Sequence, residues 1–149
     1  MKTVSGGIWR GALLFLAAVS FQVSAQQAAV YLDATSQDLV GQQLVYQVRE
    51  ALRKSAGLKL VDLPGDAFWN VHLVTIDPFA NQPGSGRSTA YSVAITMRAL
   101  NGSGEYYSAN FVGTCGDAPP ICAQNIVAAV DAQAVELRKA LLGIVPGKH

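Results

Sequence analysis

The sequence predicts an α+β fold, a two-layer sandwich of order β-α-β-β-β-β-α with two helices packed on one face of a mainly antiparallel mixed sheet. Two segments, one early and one at the end, repeat apolar residues at helical spacing. The other segments are short runs rich in β-branched and aromatic residues, and one of them alternates strictly between large apolar and small polar residues. Helices and strands in this order form two layers around one core.

A strand and a helix are predicted first. AAVYLDA, residues 28–34, is β-branched and aromatic, which is typical of a strand. Residues 36–57 form a helix with Ser36 or Asp38 as its cap, because a short side-chain oxygen satisfies an unpaired amide there. Gly57 is expected to end it. The apolar stripe of this helix consists of Val40, Leu44, Val45, Val48 and Leu52.

Two further strands and a long loop follow. LKLVDL, residues 58–63, comes directly after the helix, so we expect it to pair in parallel with the first strand through a right-handed crossover. After a turn at PGD, residues 68–77 form the third strand. Residues 78–86 contain two prolines and two glycines, which predicts a loop.

A hairpin and a second helix complete the chain. In residues 89–98, large apolar residues alternate with Ser92, Ala94, Thr96 and Arg98, which predicts a strand with one apolar face. In the fifth strand, residues 106–114, the same period places Tyr107, Ala109 and Phe111 on one face and Ser108 and Asn110 on the other. The closing helix, residues 118–144, has an apolar stripe of Cys122, Ile126, Val130, Ala134, Leu137 and Leu141. Its two prolines are tolerated only in the first turn.

The first 25 residues have the pattern of a secretory signal peptide. Lys2 and Arg10 precede and flank an apolar run over residues 11–21, and small residues follow at 23–25. The run is shorter than the about 20 residues of a membrane span, so we predict cleavage before Gln26 and a single exported domain over residues 26–149. Neither a membrane span after cleavage nor a lipid anchor is expected.

The charge of the chain gives no indication of a nucleic-acid partner. The formal net charge is +1, and the basic residues are scattered along the chain. We therefore expect no nucleic-acid binding. The expected location is the periplasm or the outside of the cell, and the expected partner is an envelope or secreted protein whose identity the sequence does not reveal.

Cys115 and Cys122 are predicted to form a structural disulfide. Export places both thiols where disulfides persist. A zinc site needs four ligands, and only His72 and His149 could join the two cysteines. A thioredoxin-like pair has two residues between its cysteines, whereas six lie here. A catalytic cysteine needs a histidine base, which no spacing places beside it.

No cofactor, metal ligand or catalytic residue is assigned from the sequence. His72 lies in an alternating strand, where a histidine is usually a packed or half-exposed residue. Four aspartates lie near strand ends, where such residues often cap turns: Asp33, Asp62, Asp66 and Asp77. Two of them could meet as a general-acid pair.

The sheet face away from the helices is the candidate docking face. It is expected to be small and polar, and its predicted members are Asn70, His72, Ser92, Ala94, Thr96, Ser108 and Asn110. An ordinary solvated face has the same composition. Strand addition at an exposed edge is a second way in which such a sheet could bind.

The phrases AVYLD, REALRKSAGLKLVD, WNVHLVTID and AYSVAITMRALNGSG, followed by a closing helix, resemble a known type of envelope module. This type comprises the amino-terminal domain of TolB and the related domains of the curli secretion protein CsgG and the penicillin-binding-protein activator LpoB. The resemblance covers residues 28–143 and implies an envelope-associated, non-enzymatic interaction domain. The cysteine pair departs from the pattern, and no functional residue is transferred.

The sequence supports three hypotheses, in order of preference. The protein is an exported interaction or accessory module of the cell envelope. Alternatively, it is a secreted inhibitor that inserts the loop at 78–88 into an enzyme's cleft. The third hypothesis is a small hydrolase that uses His72 with nearby acids, which would require a deep pocket at that residue.

Overall fold

The computed structural model describes residues 27–99 and 102–144, so the predicted signal peptide lies outside the described residues. The predicted element order is confirmed. The strands are β1 (Ala28–Ser36), β2 (Leu58–Leu60), β3 (Trp69–Ile76), β4 (Thr89–Arg98) and β5 (Glu105–Cys115), and the helices are α1 (Leu39–Lys54) and α2 (Pro119–Ile144). A short 3-10 turn, Pro64–Asp66, lies between β2 and β3.

The five strands form one mixed sheet in the order β2-β1-β3-β4-β5. β1 pairs in parallel with β2 and β3, whereas β3 with β4 and β4 with β5 are antiparallel and form the longer ladders. Leu60 and Trp69 both pair with Val30 from opposite sides, so residues 61–68 cross β1. Arg98 donates to the carbonyl of Gly65, which holds the 3-10 turn against the end of β4.

The core lies between the sheet and the two helices. Four members of the predicted stripe of α1 are buried and the fifth, Val45, is half-buried. Among the described side chains of α2, the buried ones are Ala123, Ile126, Val127, Val130 and Ala134. Leu141 was predicted to continue this stripe, but it is exposed. The residues of α2 that pack against the core end at Leu137, and Leu141 lies one turn further along the helix.

The ends of α1 differ in part from the prediction. Asp38 caps the helix, because its Oδ1 accepts from the backbone N–H of Gly41 at 2.7 Å. The prediction that Gly57 ends the helix is wrong. Ser55 already has extended backbone angles, φ −66° and ψ 137°, so the turn needs no left-handed glycine. The Ser55 hydroxyl instead accepts from the N–H of Gly57 at 3.2 Å and of Leu58 at 3.1 Å.

Asp38 also ties three strands together at the start of α1. Its Oδ2 accepts from Thr89 Oγ1 at 2.8 Å and lies 3.2 Å from Thr75 Oγ1, which is 2.8 Å from Ser36 Oγ. Both threonines are fully buried. We call these four residues the Asp38 node. It satisfies buried hydroxyls of β3 and β4 with the same carboxylate that caps α1.

A bulge in β5 corrects the predicted faces of that strand. Ile95 pairs with Ala109, but the next residue, Thr96, pairs with Tyr107. Ser108 is therefore the extra residue of the bulge. Tyr107 consequently lies beside Thr96 on the face away from the helices, and Ser108 donates to Gln133 of α2 at 3.2 Å. Period-two alternation cannot anticipate this inserted residue.

The two cysteines form a disulfide between the end of β5 and the first turn of α2. Cys115 is buried in the core, and the Cα atoms of Cys115 and Cys122 are 6.1 Å apart. The bond closes a short loop across the connection between β5 and α2. It therefore fixes where α2 begins relative to the sheet.

Candidate docking face

The open face is the sheet surface opposite the helices. Its side chains form rows across β1, β3, β4 and β5. The three central rows are Tyr31–Asn70–Thr96–Tyr107, Asp33–His72–Ala94–Asn110 and Thr35–Val74–Ser92–Val112. Of the predicted docking residues, all except Ser108 occupy positions on this face, and Asn70 is covered rather than exposed.

Two carboxylates flank the imidazole of His72. Asp33 Oδ2 lies 3.2 Å from Nδ1, and Glu105 Oε2 lies 3.4 Å from Nε2. Glu105 also accepts from Thr96 Oγ1 at 2.5 Å and from Asn70 Nδ2 at 2.6 Å. We call these five residues the carboxylate–histidine cluster. A neutral imidazole donates from one nitrogen only, so it can satisfy one of the two carboxylates at a time.

Glu105 was not among the residues predicted from the sequence, because the predicted fifth strand began at residue 106. In the structure it is the first residue of β5 and pairs with Arg98 in the register. Arg98 turns away to the carbonyl of Gly65, and the Glu105 side chain instead extends over β4 towards β3. The sequence signal that could have located it is the pair of opposite charges, Arg98 and Glu105, on either side of the hairpin turn.

The surroundings of Glu105 favour its ionised form. The donated hydroxyl of Thr96 has the largest effect and lowers the pKa of Glu105, and His72 and Asn70 act in the same direction. Partial burial opposes them, but the pKa remains below its ordinary value. Among the described residues, His72 is the only basic side chain within ion-pairing distance of either carboxylate.

Asn70 has an unusual environment for a residue on the open face. It is 3% exposed, and its Oδ1 has no hydrogen-bond partner among the described residues. Its Nδ2 donates to Glu105, so the carboxamide belongs to the cluster. A buried acceptor without a donor costs about 1–3 kcal/mol.

Next to the cluster lies an exposed apolar patch, which we define as Val74, Ile76 and Val112. Their exposed fractions are 48%, 53% and 76%. With Ala90 and Thr114 they line a shallow depression of about 520 Å³. The face predicted from the sequence was small and polar because the prediction left these three residues out. Val74 and Ile76 follow His72 by two and four residues in the same strand, so they lie on the same face as His72.

The loop between β3 and β4 lies at the same end of the sheet as the apolar patch, and hydrogen bonds to Asp77 hold it together. The Asp77 carboxylate accepts from Phe79 N–H and Gly86 N–H, both at 2.8 Å, and from Ser85 Oγ at 2.9 Å. The backbone N–H of Phe79, followed by that of Gly86, holds the pKa of Asp77 below its ordinary value. Gly86 has a φ of 78°, a left-handed conformation that glycine adopts without strain.

Of the four aspartates considered as acids, all of which lie in the described part of the chain, only Asp33 forms a hydrogen bond or ion pair with His72. The depression of about 520 Å³ is lined by the apolar patch and excludes His72. Within residues 27–99 and 102–144, no group of three or more ligands is arranged to hold a metal ion. No helix in this part of the chain is both long and apolar enough to cross a membrane.

Comparisons with known proteins identify a shared fold but no family. No family model matches the chain, and no curated protein matches it. The hypothetical protein CT253 from Chlamydia trachomatis is similar in structure, with a TM-score of 0.50 and 11% identity over 74% of this chain and 99% of that one. The rare lipoprotein B from Shewanella oneidensis has a TM-score of 0.37 and 19% identity, over 72% and 98% of the two chains. The resemblance to the TolB, CsgG and LpoB modules stays a prediction.

Proposed function

We propose that this protein is an exported, envelope-associated docking module that binds a partner protein on its open face. The observation that carries the proposal is the apolar patch beside the carboxylate–histidine cluster. Val74, Ile76 and Val112 line one depression together with Ala90, so exposed apolar groups of three neighbouring strands lie close together, with Ser92 between Val74 and Val112. Contiguous apolar surface bordered by polar groups is typical of interaction sites.

Export is part of the proposal, and two features support it. Residues 1–25 have the signal-peptide pattern. The disulfide between Cys115 and Cys122 is of the kind that persists in oxidising compartments. Mass spectrometry of the protein isolated from its native cells tests this part. A mature chain that begins at Gln26 with an intact disulfide is expected, and a full-length reduced chain would contradict export.

Site-specific photo-crosslinking in native cells tests the docking face. A photoreactive residue replaces Val112 on the open face or, as a control, Ile121, which is also aliphatic and exposed and lies at the start of α2. We expect one defined partner to be captured from Val112 and not from Ile121. Val74→Asp, which places a charge in the apolar patch, should abolish the capture.

Four results would count against docking of a partner on the open face. Capture from both positions, or capture that survives Val74→Asp, would overturn the assignment to this face. A crosslinked product with twice the mass of this chain and no other component would identify a second copy instead of a partner. Capture of several unrelated proteins, unchanged by Val74→Asp, would indicate only non-specific binding.

A further inference from the structure

We infer that the carboxylate–histidine cluster is the binding site for a cationic side chain of the partner, and that this side chain is an arginine. This inference rests on the docking function proposed above and specifies the chemistry of the partner. The apolar patch next to the cluster provides contact area that binding buries, whereas the cluster selects for a positively charged group.

The cluster has an excess of acceptors and of negative charge. The carboxylates of Asp33 and Glu105 each offer two acceptor oxygens and no donor. Among the described side chains, the donors near them are the Asn70 amide, the Thr96 hydroxyl and the ring of His72. Arg98, the basic residue in register with Glu105, donates to the carbonyl of Gly65, and among the described residues it forms no ion pair with Glu105. The cluster can therefore accept further donors and positive charge.

Asn70 gives independent support for an incoming donor. Its carboxamide is directed at the cluster through the bond from Nδ2 to Glu105, yet its buried Oδ1 has no donor among the described residues. A guanidinium that binds beside Glu105 and reaches Oδ1 would donate to it while Nδ2 keeps its bond to the carboxylate. Binding would then remove the cost of an unsatisfied buried acceptor.

A guanidinium matches this set of acceptors better than an ammonium. It presents five N–H donors in a planar fork, which can engage a carboxylate in two parallel bonds and still leave donors for a further oxygen. The cluster offers such a carboxylate in Glu105, with Asp33 on the other side of His72. An ammonium has three donors and a point charge, so we expect lysine to bind more weakly.

The distance between cluster and patch restricts the partner further. Val74 follows His72 by two residues on the same face of β3, which corresponds to about 7 Å. The partner segment should therefore carry an apolar side chain about 7 Å from its arginine. Alternate residues of a strand meet this condition, and so do residues four apart on a helix.

Titration of the isotope-labelled full chain with Nα-acetyl-arginine amide, followed by NMR, tests the inference. We expect saturable shifts of the Asn70 side-chain amide and of the His72 and Thr96 backbone signals, with a dissociation constant in the millimolar range. Nα-acetyl-norleucine amide, which lacks the charge, should cause no saturable shift, and the lysine analogue should bind at least twofold more weakly. Glu105→Gln should weaken arginine binding at least fivefold, whereas Glu136→Gln, the same change on an exposed part of α2, should leave it unchanged.

Equal affinity of wild type and Glu105→Gln, or equal shifts with the norleucine probe, would overturn the inference. If Glu105→Gln disturbs the dispersed spectrum of the fold, Asp33→Asn provides the same test from the other side of His72. The crosslinking experiment separates the two proposals. Capture from Val112 without arginine binding would refute the cationic site and retain docking, and arginine binding without any capture would refute docking and retain the site.

Discussion

Replacement of Asp38 by alanine tests how the fold connects its helix layer to its sheet. The Asp38 carboxylate caps α1 through Gly41 N–H and accepts from Thr89 at 2.8 Å, with Thr75 within 3.2 Å. Alanine removes all of these acceptors at once. Asn in the same position keeps Oδ1 for the cap but presents an amide donor to the two threonine hydroxyls.

The magnitude follows from the contacts that remain. Loss of the cap costs about 1 kcal/mol. A hydrogen bond to a charged group contributes about 1.5–3 kcal/mol. The lower part of that range applies, because Thr75 keeps Ser36 Oγ at 2.8 Å and Thr89 keeps the carbonyl of Ile76 at 3.1 Å. We therefore expect Asp38→Ala to lower the free energy of unfolding by about 2–3 kcal/mol.

Urea denaturation followed by circular dichroism measures this loss. With a typical slope, the midpoint should fall by about 1–2 M. Asp38→Asn should lose about half as much, because the cap survives. The exposed Asp62→Ala is the control and should stay within about 0.5 kcal/mol of the wild type. A loss below about 1 kcal/mol for Asp38→Ala would refute the idea that this carboxylate joins the two layers.

Three further outcomes are expected. Reduction of the disulfide, which closes a loop with a sequence separation of 7, should lower the free energy of unfolding by about 2.5 kcal/mol. An unchanged urea midpoint in reductant would contradict this, and a variant with both cysteines replaced by alanine should not respond to reductant. Gly41→Ala should destabilise by about 1–3 kcal/mol although alanine favours helices, because its Cβ would overlap the buried Thr75 Oγ1; a stabilised variant would show that the node can yield. The amide signal of Gly86 should titrate with a midpoint below 3.8, the ordinary pKa of an aspartate, because the loop binds the ionised carboxylate of Asp77. This stabilisation persists until the pH falls through the lowered pKa. A midpoint at or above 3.8, or an identical titration in Asp77→Asn, would contradict the prediction.

The layers and their order were predictable because periodicity depends on local sequence. The stripe of α1 and the alternation of β4 each specify which face is buried, and the structure buries those faces. The failures lie where one residue changes the outcome. Ser108 is inserted as a bulge and reverses the faces before it, and Ser55 ends α1 before Gly57 is reached. Neither event alters the hydrophobic pattern enough to be seen in it.

The candidate site was less predictable, because it depends on register between distant strands. Asp33 and His72 are 39 residues apart and meet only because β1 and β3 pair in parallel in one particular register. Glu105 reaches them diagonally across β4, which no spacing along the chain encodes. The apolar patch was accessible from the sequence, since Val74 and Ile76 continue the parity of His72. It was missed because only small and polar members of the face were considered.

The large stabilising contacts and the proposed docking face lie on different sides of the sheet. The Asp38 node, the disulfide and the apolar stripes of both helices lie on the helix side or at its junction with the sheet, and they supply the large stabilising contributions. On the open face, Asn70 Oδ1 is a buried acceptor with no donor among the described residues, which costs free energy. Asn70 is nevertheless half-satisfied, because its Nδ2 donates to Glu105, and an apolar replacement would remove that bond together with the cost at Oδ1. In the proposed docking function, a donor supplied by the partner would offset this cost without loss of the bond to Glu105.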